Sequence, residues 1–275
     1  MAFQTADVVK LRKKTGAGMM DCKNALTEAN GDFEKAVQII REKGKLVADK
    51  RSDREASEGV VLAKVTDDKQ SGGILVLNCE TDFVAKNENF IAFAEKILDL
   101  ALAGKATNQG EVDKLLLDGR TIAEQVTEQT GVIGEKLELS YFRRIEADRV
   151  TAYIHPGNKL ATVVGFNKPE VDVQVAKDIA MQIAAMDPVS IDKDSVPADL
   201  IEKELEIARE KYRQEGKPES MLDKIAQGSL NKWFKESTLL NQTYVKDGKI
   251  SVREFLAQND KDLKVTVFDR YTLNT

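Results

Sequence analysis

Ile74-Leu75-Val76-Leu77-Asn78-Cys79-Glu80-Thr81-Asp82-Phe83-Val84-Ala85-Lys86-Asn87 takes the chain from strand to helix in one short stretch. The four apolar residues at its start read as a buried strand. Past its end, Phe90, Phe93, Ala94, Ile97 and Leu98 recur at helical spacing, so a helix begins at Asn87 or Asn89. Between them lies a corner where a carboxylate, Asp82, precedes two apolar residues, Phe83 and Val84. On these residues alone the corner is a tucked loop, with Phe83 filling the core and Asp82 capping a turn, because loop aromatics are usually packed.

Working outward, Val60 to Val65 is strand-like and the polar run Asp67 to Gly73 is a turn, which makes a hairpin with Ile74 to Leu77. Downstream, a second helical region spans 111–129, Thr130 to Gly134 is a glycine-punctuated loop, and Lys136 to Ile145 alternates as a strand. The order then recurs. Val150 to Ile154 and Leu160 to Phe166 flank the turn His155-Pro156-Gly157-Asn158, and a helix over 171–186 follows. The fold class is therefore α+β, with two related hairpin-helix units at 59–147 and 148–275. Residues 192–236 interrupt the second unit. Ile201, Leu205, Ala208 and Tyr212 form a heptad-like seam, Gly216-Lys217-Pro218 turns the chain, and Leu222 and Ile225 answer on an antiparallel helix. A short helix at 251–258 and a strand at 263–268 close the chain.

Upstream, residues 1–44 read as three short helices. Thr5 caps the first and Gly16 and Gly18 break it. Met19, Cys22, Leu26 and Ala29 stripe the second, which ends at Asn30-Gly31. The third is capped by Asp32, buries Phe33, Ala36, Val37 and Ile40, and stops at Lys43-Gly44. Only one of the adjacent Met19 and Met20 points straight inward, so Met20 either borders the core or faces a partner. Residues 45–58 are a mixed-charge linker between domains, helical at most at its start.

A chain of 275 residues, 42% hydrophobic and 32% charged, suits two or three soluble domains. The net charge of -5 weighs against general nucleic-acid binding, which normally shows as a basic excess. No apolar run approaches a membrane span or a signal peptide. Cys22 and Cys79 form no C-x-x-C and are expected as free thiols in a reducing cytoplasm. With one histidine, His155, and no P-loop, G-x-G-x-x-G, H-E-x-x-H or G-x-S-x-G, the residues offer no catalytic constellation. Composition and pattern stop at an α+β interaction protein.

Residue identity goes further. Leu11-Arg12, Thr15-Gly16-Ala17-Gly18-Met19-Met20-Asp21-Cys22-Lys23, Ala25-Leu26, Glu28-Ala29 and Gly31-Asp32 together resemble the N-terminal signature of the bacterial elongation factor Ts family. Cys79 to Asn87 resembles that family's second signature. Ile133-Gly134-Glu135, Tyr153 to Gly157, Ile179-Ala180-Met181 and Gln242 to Val245 are similar to further segments in the right order. The resemblance implies a guanine-nucleotide exchange factor that binds elongation factor Tu and releases its GDP. It implies protein–protein contact rather than enzyme chemistry, no cofactor or metal of its own, and a place in the cytoplasm without direct contact to nucleic acid or membrane. It also implies a UBA-like three-helix domain at 1–44, a two-part core and a coiled-coil hairpin at 192–236, whose short seam leaves homodimerisation open.

In the family, the loop matching Thr81, Asp82, Phe83 and Val84 enters the GTPase domain of Tu near its Mg²⁺ site, and the N-terminal domain docks on that same domain. On that implication Phe83 stands exposed in the free protein, with Glu80 and Lys86 shaping the corner. Partner contacts are likewise expected of Met19, Met20, Lys23, Ile133, Gly134 and His155. The alternative is a non-catalytic adaptor built on the UBA-like domain. Departures from the family pattern are Asn24, Lys136-Leu137, Asp178 and Gln182 beside Ile179 to Met181, and the segment after Val267, which lacks the usual acidic strand and C-terminal helix.

Overall fold

Three glycines and one aspartate cap set the N-terminal helices in a computed structural model, which describes residues 3–273. Helix α1 (Thr5–Thr15) starts after Gln4, whose backbone N–H donates to the Asp7 carboxylate at 2.8 Å. Thr5 is thus the first helical residue and not the cap. Gly16, at φ 74°, ends α1 in the left-handed region that glycine enters at low cost. Helix α2 (Met19–Glu28) buries Cys22, Ala25 and Leu26, and Asn30 and Gly31, both at positive φ, turn the chain. Asp32 caps α3 (Phe33–Lys50) by accepting from the Lys35 N–H at 3.0 Å. Leu11, Cys22, Leu26, Ala36 and Val37 form a small core of their own.

Helix α3 does not stop at Gly44. It runs to Lys50, so the irregular linker is confined to 51–57. Gly44 is in the helix because another backbone lies against it, not because the chain turns there.

Strands β1 (Glu58–Val65) and β2 (Ser71–Cys79) pair antiparallel, Glu58 opposite Cys79. One helical turn, α4 (Asp82–Ala85), leads to α5 (Glu88–Ala103), whose cap is Asn87. The helical region expected over 111–129 is divided. It comprises the single turn α6 (Gln109–Val112), the small hairpin β3 (Leu116–Leu117) and β4 (Arg120–Thr121), and α7 (Ile122–Ile133). Asp118 and Gly119 adopt positive φ at the hairpin tip, and the Thr121 hydroxyl and Glu124 carboxylate form the capping box that starts α7. The expected loop at Thr130–Ile133 is instead the last turn of α7, and only Gly134, at φ 80°, leaves the helix.

Strand β5 (Glu138–Glu146) completes a sheet ordered β1-β2-β5. A second sheet follows from β6 (Arg149–Ile154) and β7 (Leu160–Phe166), then α8 (Val173–Met186). The hairpin of α9 (Ala198–Gln214) and α10 (Glu219–Ser237) comes next, then α11 (Val252–Asn259) and β8 (Val265–Thr272), giving the order β6-β7-β8. In each sheet the first two strands form a hairpin and the third joins the second strand after helical segments. Strand β8 extends past the expected Phe268, its Thr272 standing opposite Leu160.

The two sheets stack, and each outer face carries a helix. Leu75, Leu77 and Cys79 of β2 point to α5, meeting Phe90, Ile97 and Phe142. Ile74 and Val76 point the other way, to Val150, Ala161 and Val163 of the second sheet. This is the two-residue period of a strand with both faces covered, and it explains the unbroken apolar run. Val164, Phe166, Ile179 and Ile183 fill the layer beneath α8. The α9–α10 hairpin closes on itself through Ala208, Leu222, Ala226 and Leu230, with Arg209–Asp223 and Arg213–Glu219 pairs at 2.8 and 2.7 Å along its edge. Ile225 is only partly inside this seam. Among the described residues no helix is long and apolar enough to cross a membrane.

Candidate functional site

The corner after β2 is a single helical turn held at its first residue. Thr81 has extended backbone angles and caps α4, its hydroxyl oxygen accepting from the Val84 N–H at 3.4 Å. The same threonine donates its backbone N–H and its hydroxyl to Glu135, at 3.0 and 2.7 Å. Its carbonyl accepts the Cys79 thiol at 3.2 Å and the Ala85 N–H at 3.2 Å. Burial, with the Glu135 charge adding, pushes the Cys79 thiol up to about 12. Cys79 is therefore an inert donor beneath the loop and not a nucleophile.

Phe83 is 82% exposed, whereas Val84 packs against the α5 core and Ala85 is buried. One turn thus presents a ring outward and anchors itself inward. The packed-loop reading fails for Phe83, because a four-residue helix whose inner face is taken by Val84 and Ala85 has its opposite face in water. Asp82 pairs with Lys86 at 2.6 Å, and that bond foremost holds its carboxyl below the usual range, with Lys159 contributing.

Glu80, just before the turn, accepts from the Lys136 backbone N–H at 2.6 Å and from Arg51 Nη1 at 2.7 Å. The Lys136 N–H foremost holds this carboxyl low, against the opposing effect of desolvation. Lys159, on the turn after β6, pairs with Glu58 at 2.9 Å, and Asn158 accepts from the Val61 N–H at 2.7 Å. The turn bearing His155 is thereby fastened to the same end of β1 that stands opposite Cys79. His155 is exposed, its Nδ1 3.0 Å from the Tyr153 hydroxyl.

Beside the loop, an open cleft of 1340 Å³ separates the three-helix domain from the core. Met19 lines it from one side, and Val84, Phe90 and Ile133 line it from the other. Its charged rim includes Arg12, Arg41, Lys96 and Arg120 against Asp21, Asp118 and Glu128. The cleft has a fixed floor. A Cβ on Gly131 of α7 would lie 2.2 Å from the Gly44 Cα of α3, so the two helices cross there backbone to backbone. Glu128 braces the crossing by pairing with Arg120 and, at 3.5 Å, with Arg41.

Of the candidates, Met19, Val84 and Ile133 meet around the cleft, and Gly134 supplies the turn that brings Glu135 to Thr81. Met20, 64% exposed, and Lys23 lie on the outer surface of α2, while His155 sits on the separate turn. The open question over Met20 resolves against core packing. The residues that motif reading left without a role are Arg51, Glu135 and the Gly44–Gly131 pair. Their partners are distant in sequence, so no local pattern announces them. Asp178 and Gln182 fall far from the cleft, on α8. Asp178 accepts from the Tyr244 hydroxyl and Lys246 at 2.7 and 2.6 Å, and Gln182 accepts from the Val245 N–H at 2.9 Å, fastening α8 to 242–246.

Comparison with known proteins adds to this geometry. The family model described as Elongation factor TS matches residues 80–275. Elongation factor Ts of Azobacteroides pseudotrichonymphae is 52% identical over 275 residues, covering 100% of this chain and 99% of its own length. That of Porphyromonas gingivalis is 53% identical over the same span with the same coverage. That of Christiangramia forsetii is 50% identical over 270 residues, 98% of this chain and 97% of its own. The chain belongs to the elongation factor Ts family. The family match opens at Glu80, so the loop, β5 and the whole second sheet lie within it, while β1 and β2 precede it; the full-length relatives extend the likeness across those strands and the three-helix domain. Elongation factor Ts proteins are named for translation elongation, and this chain is accordingly a factor of protein biosynthesis.

Proposed function

We propose that this protein is a guanine-nucleotide exchange factor for elongation factor Tu, acting in the cytoplasm by binding GDP-bound Tu and releasing the nucleotide. The observation that carries the reading is Phe83, 82% exposed at the tip of a fixed turn in a chain of this family. Water-exposed phenylalanine contributes nothing to its own fold, so its apolar surface is free for a partner. Asp82 beside it is held by one exposed lysine and exchanges that partner readily.

The mechanism needs no covalent step and no cofactor. Three-helix domain and core grip the partner from the two sides of the cleft. Phe83 then enters beside the nucleotide site of Tu and displaces side chains there. The Mg²⁺ in such a site holds few protein ligands and several waters, so small displacements weaken it. Asp82 leaves Lys86 and competes for hydrogen bonds near the phosphates. Binding to nucleotide-free Tu must exceed binding to the GDP form, and nucleotide ejects the factor by the same ratio. Burial of one aromatic ring, on the order of 3–5 kcal/mol, supplies roughly two to three and a half powers of ten at about 1.4 kcal/mol each.

Release of a fluorescent GDP analogue from purified Tu tests the reading. Acceleration by substoichiometric amounts of this protein supports exchange. Binding without acceleration makes it an adaptor instead. Homodimerisation through residues 192–236 has less support, since the seam of that hairpin is filled from within.

A further inference from the structure

Two carboxylates outside the loop decide where the loop stands. Glu135 accepts the backbone N–H and hydroxyl of Thr81, at 3.0 and 2.7 Å. Glu80 answers in the opposite sense by accepting the backbone N–H of Lys136 at 2.6 Å. Residues 80–81 and 135–136 therefore clasp each other reciprocally, each segment's glutamate holding the other's backbone. The clasp reaches the three-helix domain as well. Arg51, at the end of α3, donates to Glu80 at 2.7 Å, and Lys136 Nζ donates to the Ser52 and Arg54 carbonyls, both at 3.1 Å.

A single helical turn is not stable alone, because forming the first turn fixes several residues for very few hydrogen bonds. Thr81 is where that cost is met, since its N–H, hydroxyl and carbonyl are all engaged. Phe83 itself touches little, so its direction is inherited from the backbone at Thr81. Bonds to an ionised carboxylate are the strong kind, and a side chain ordered before docking spares the complex that ordering cost.

We infer that Glu135 is a positioning residue for nucleotide exchange: with Glu80 it fixes Thr81 and so aims Phe83 before the partner arrives. The inference rests on Phe83 being the group that enters the partner. Its test measures the maximal rate of fluorescent GDP release from Tu and the half-saturating concentration of the full-length factor. The forms compared are wild type, Glu135→Ala, Thr81→Val, Phe83→Ala and the double variant Phe83→Ala with Glu135→Ala.

Glu135→Ala should lower the maximal rate on the order of tenfold. The half-saturating concentration should stay within about twofold, as for a group that acts after docking. In the Phe83→Ala background, Glu135→Ala should have no further effect, since it acts through that ring. Thr81→Val removes the hydroxyl's bond to Glu135 and its long cap bond from Val84 but keeps the Thr81 N–H donor, and it should give a smaller loss of the same kind, readable even if Glu135→Ala folds poorly. A wild-type maximal rate in both Glu135→Ala and Thr81→Val overturns the inference, as does a Glu135→Ala loss that multiplies fully onto that of Phe83→Ala. Wild-type factor that leaves GDP release unchanged overturns the exchange reading itself, a separate outcome seen before any variant is made.

Discussion

Phe83 is more exposed than any other large apolar side chain among the described residues, so its truncation separates function from folding. Phe83→Ala should leave the unfolding midpoint nearly unchanged, within the ~0.5 kcal/mol typical of surface changes. The same variant should slow GDP release from Tu far more than it weakens binding to nucleotide-free Tu. Equal losses in stopped-flow release and in binding would refute the division of labour between ring and cleft. Cys79 gives a second residue-scale prediction. Its folded pKa, about 12, exceeds the unfolded value of 9.0, so burying the protonated thiol stabilises the fold fully below pH 9. That contribution is lost as pH rises from 9 toward 12. Cys22 is shifted up too, by burial first. A thiol reagent at pH 8 should label neither cysteine until denaturant is added, and rapid labelling of the folded protein at Cys79 would contradict its placement.

At the scale of elements, Gly44 and Gly131 occupy one crossing but are not equivalent. A Cβ on Gly44 meets Gly131 at an ordinary 3.6 Å, whereas one on Gly131 falls 2.2 Å from the Gly44 Cα. Gly44→Ala should therefore be neutral or stabilising, by up to ~1 kcal/mol from helix propensity. Gly131→Ala must push α3 off α7 and should cost about 1–3 kcal/mol. Thermal unfolding of the two variants checks the asymmetry, and equal effects would dismiss the backbone contact. The same pair explains where local pattern misleads. Glycine signals a stop when only neighbours in sequence are considered, and it served correctly so at Gly16, Gly31 and Gly134. At 44 and 131 it signals a close approach between helices far apart in the chain. Strand β2, by contrast, was legible because the layers on its two faces leave a continuous apolar run.

Across the whole molecule, the cleft exists only while both of its walls are present. Removing residues 1–50 takes away α1 to α3 and bares the face of α7 around Gly131, leaving the stacked sheets intact. The truncated chain should need on the order of tenfold more factor, or above, for half-maximal GDP release from Tu if partner contacts on the two walls of the cleft act together. Circular dichroism would verify that its strands persist, and near-normal exchange would contradict the two-walled site. The loop could be named from its residues, since its motif is contiguous and resembles a family signature. The clasp beneath it could not, because Thr81 and Glu135 come together only through the turn at Gly134, and Glu80 meets Arg51 only because α3 continues past Gly44.

That continuation makes α3 a lever with its fulcrum at Gly44. The arm from there back to Phe33 spans eleven residues, about 16 Å at 1.5 Å per residue. A tilt of roughly 10° about the crossing would carry the far end, and the helices packed on it, by about 3 Å over that arm. Since the pivot is bare backbone, no rotamer change can take up such a tilt. The gape of the cleft is thus gauged by the thickness of two peptide chains, which makes the glycine at position 131 a spacer that sets how far its walls stand apart.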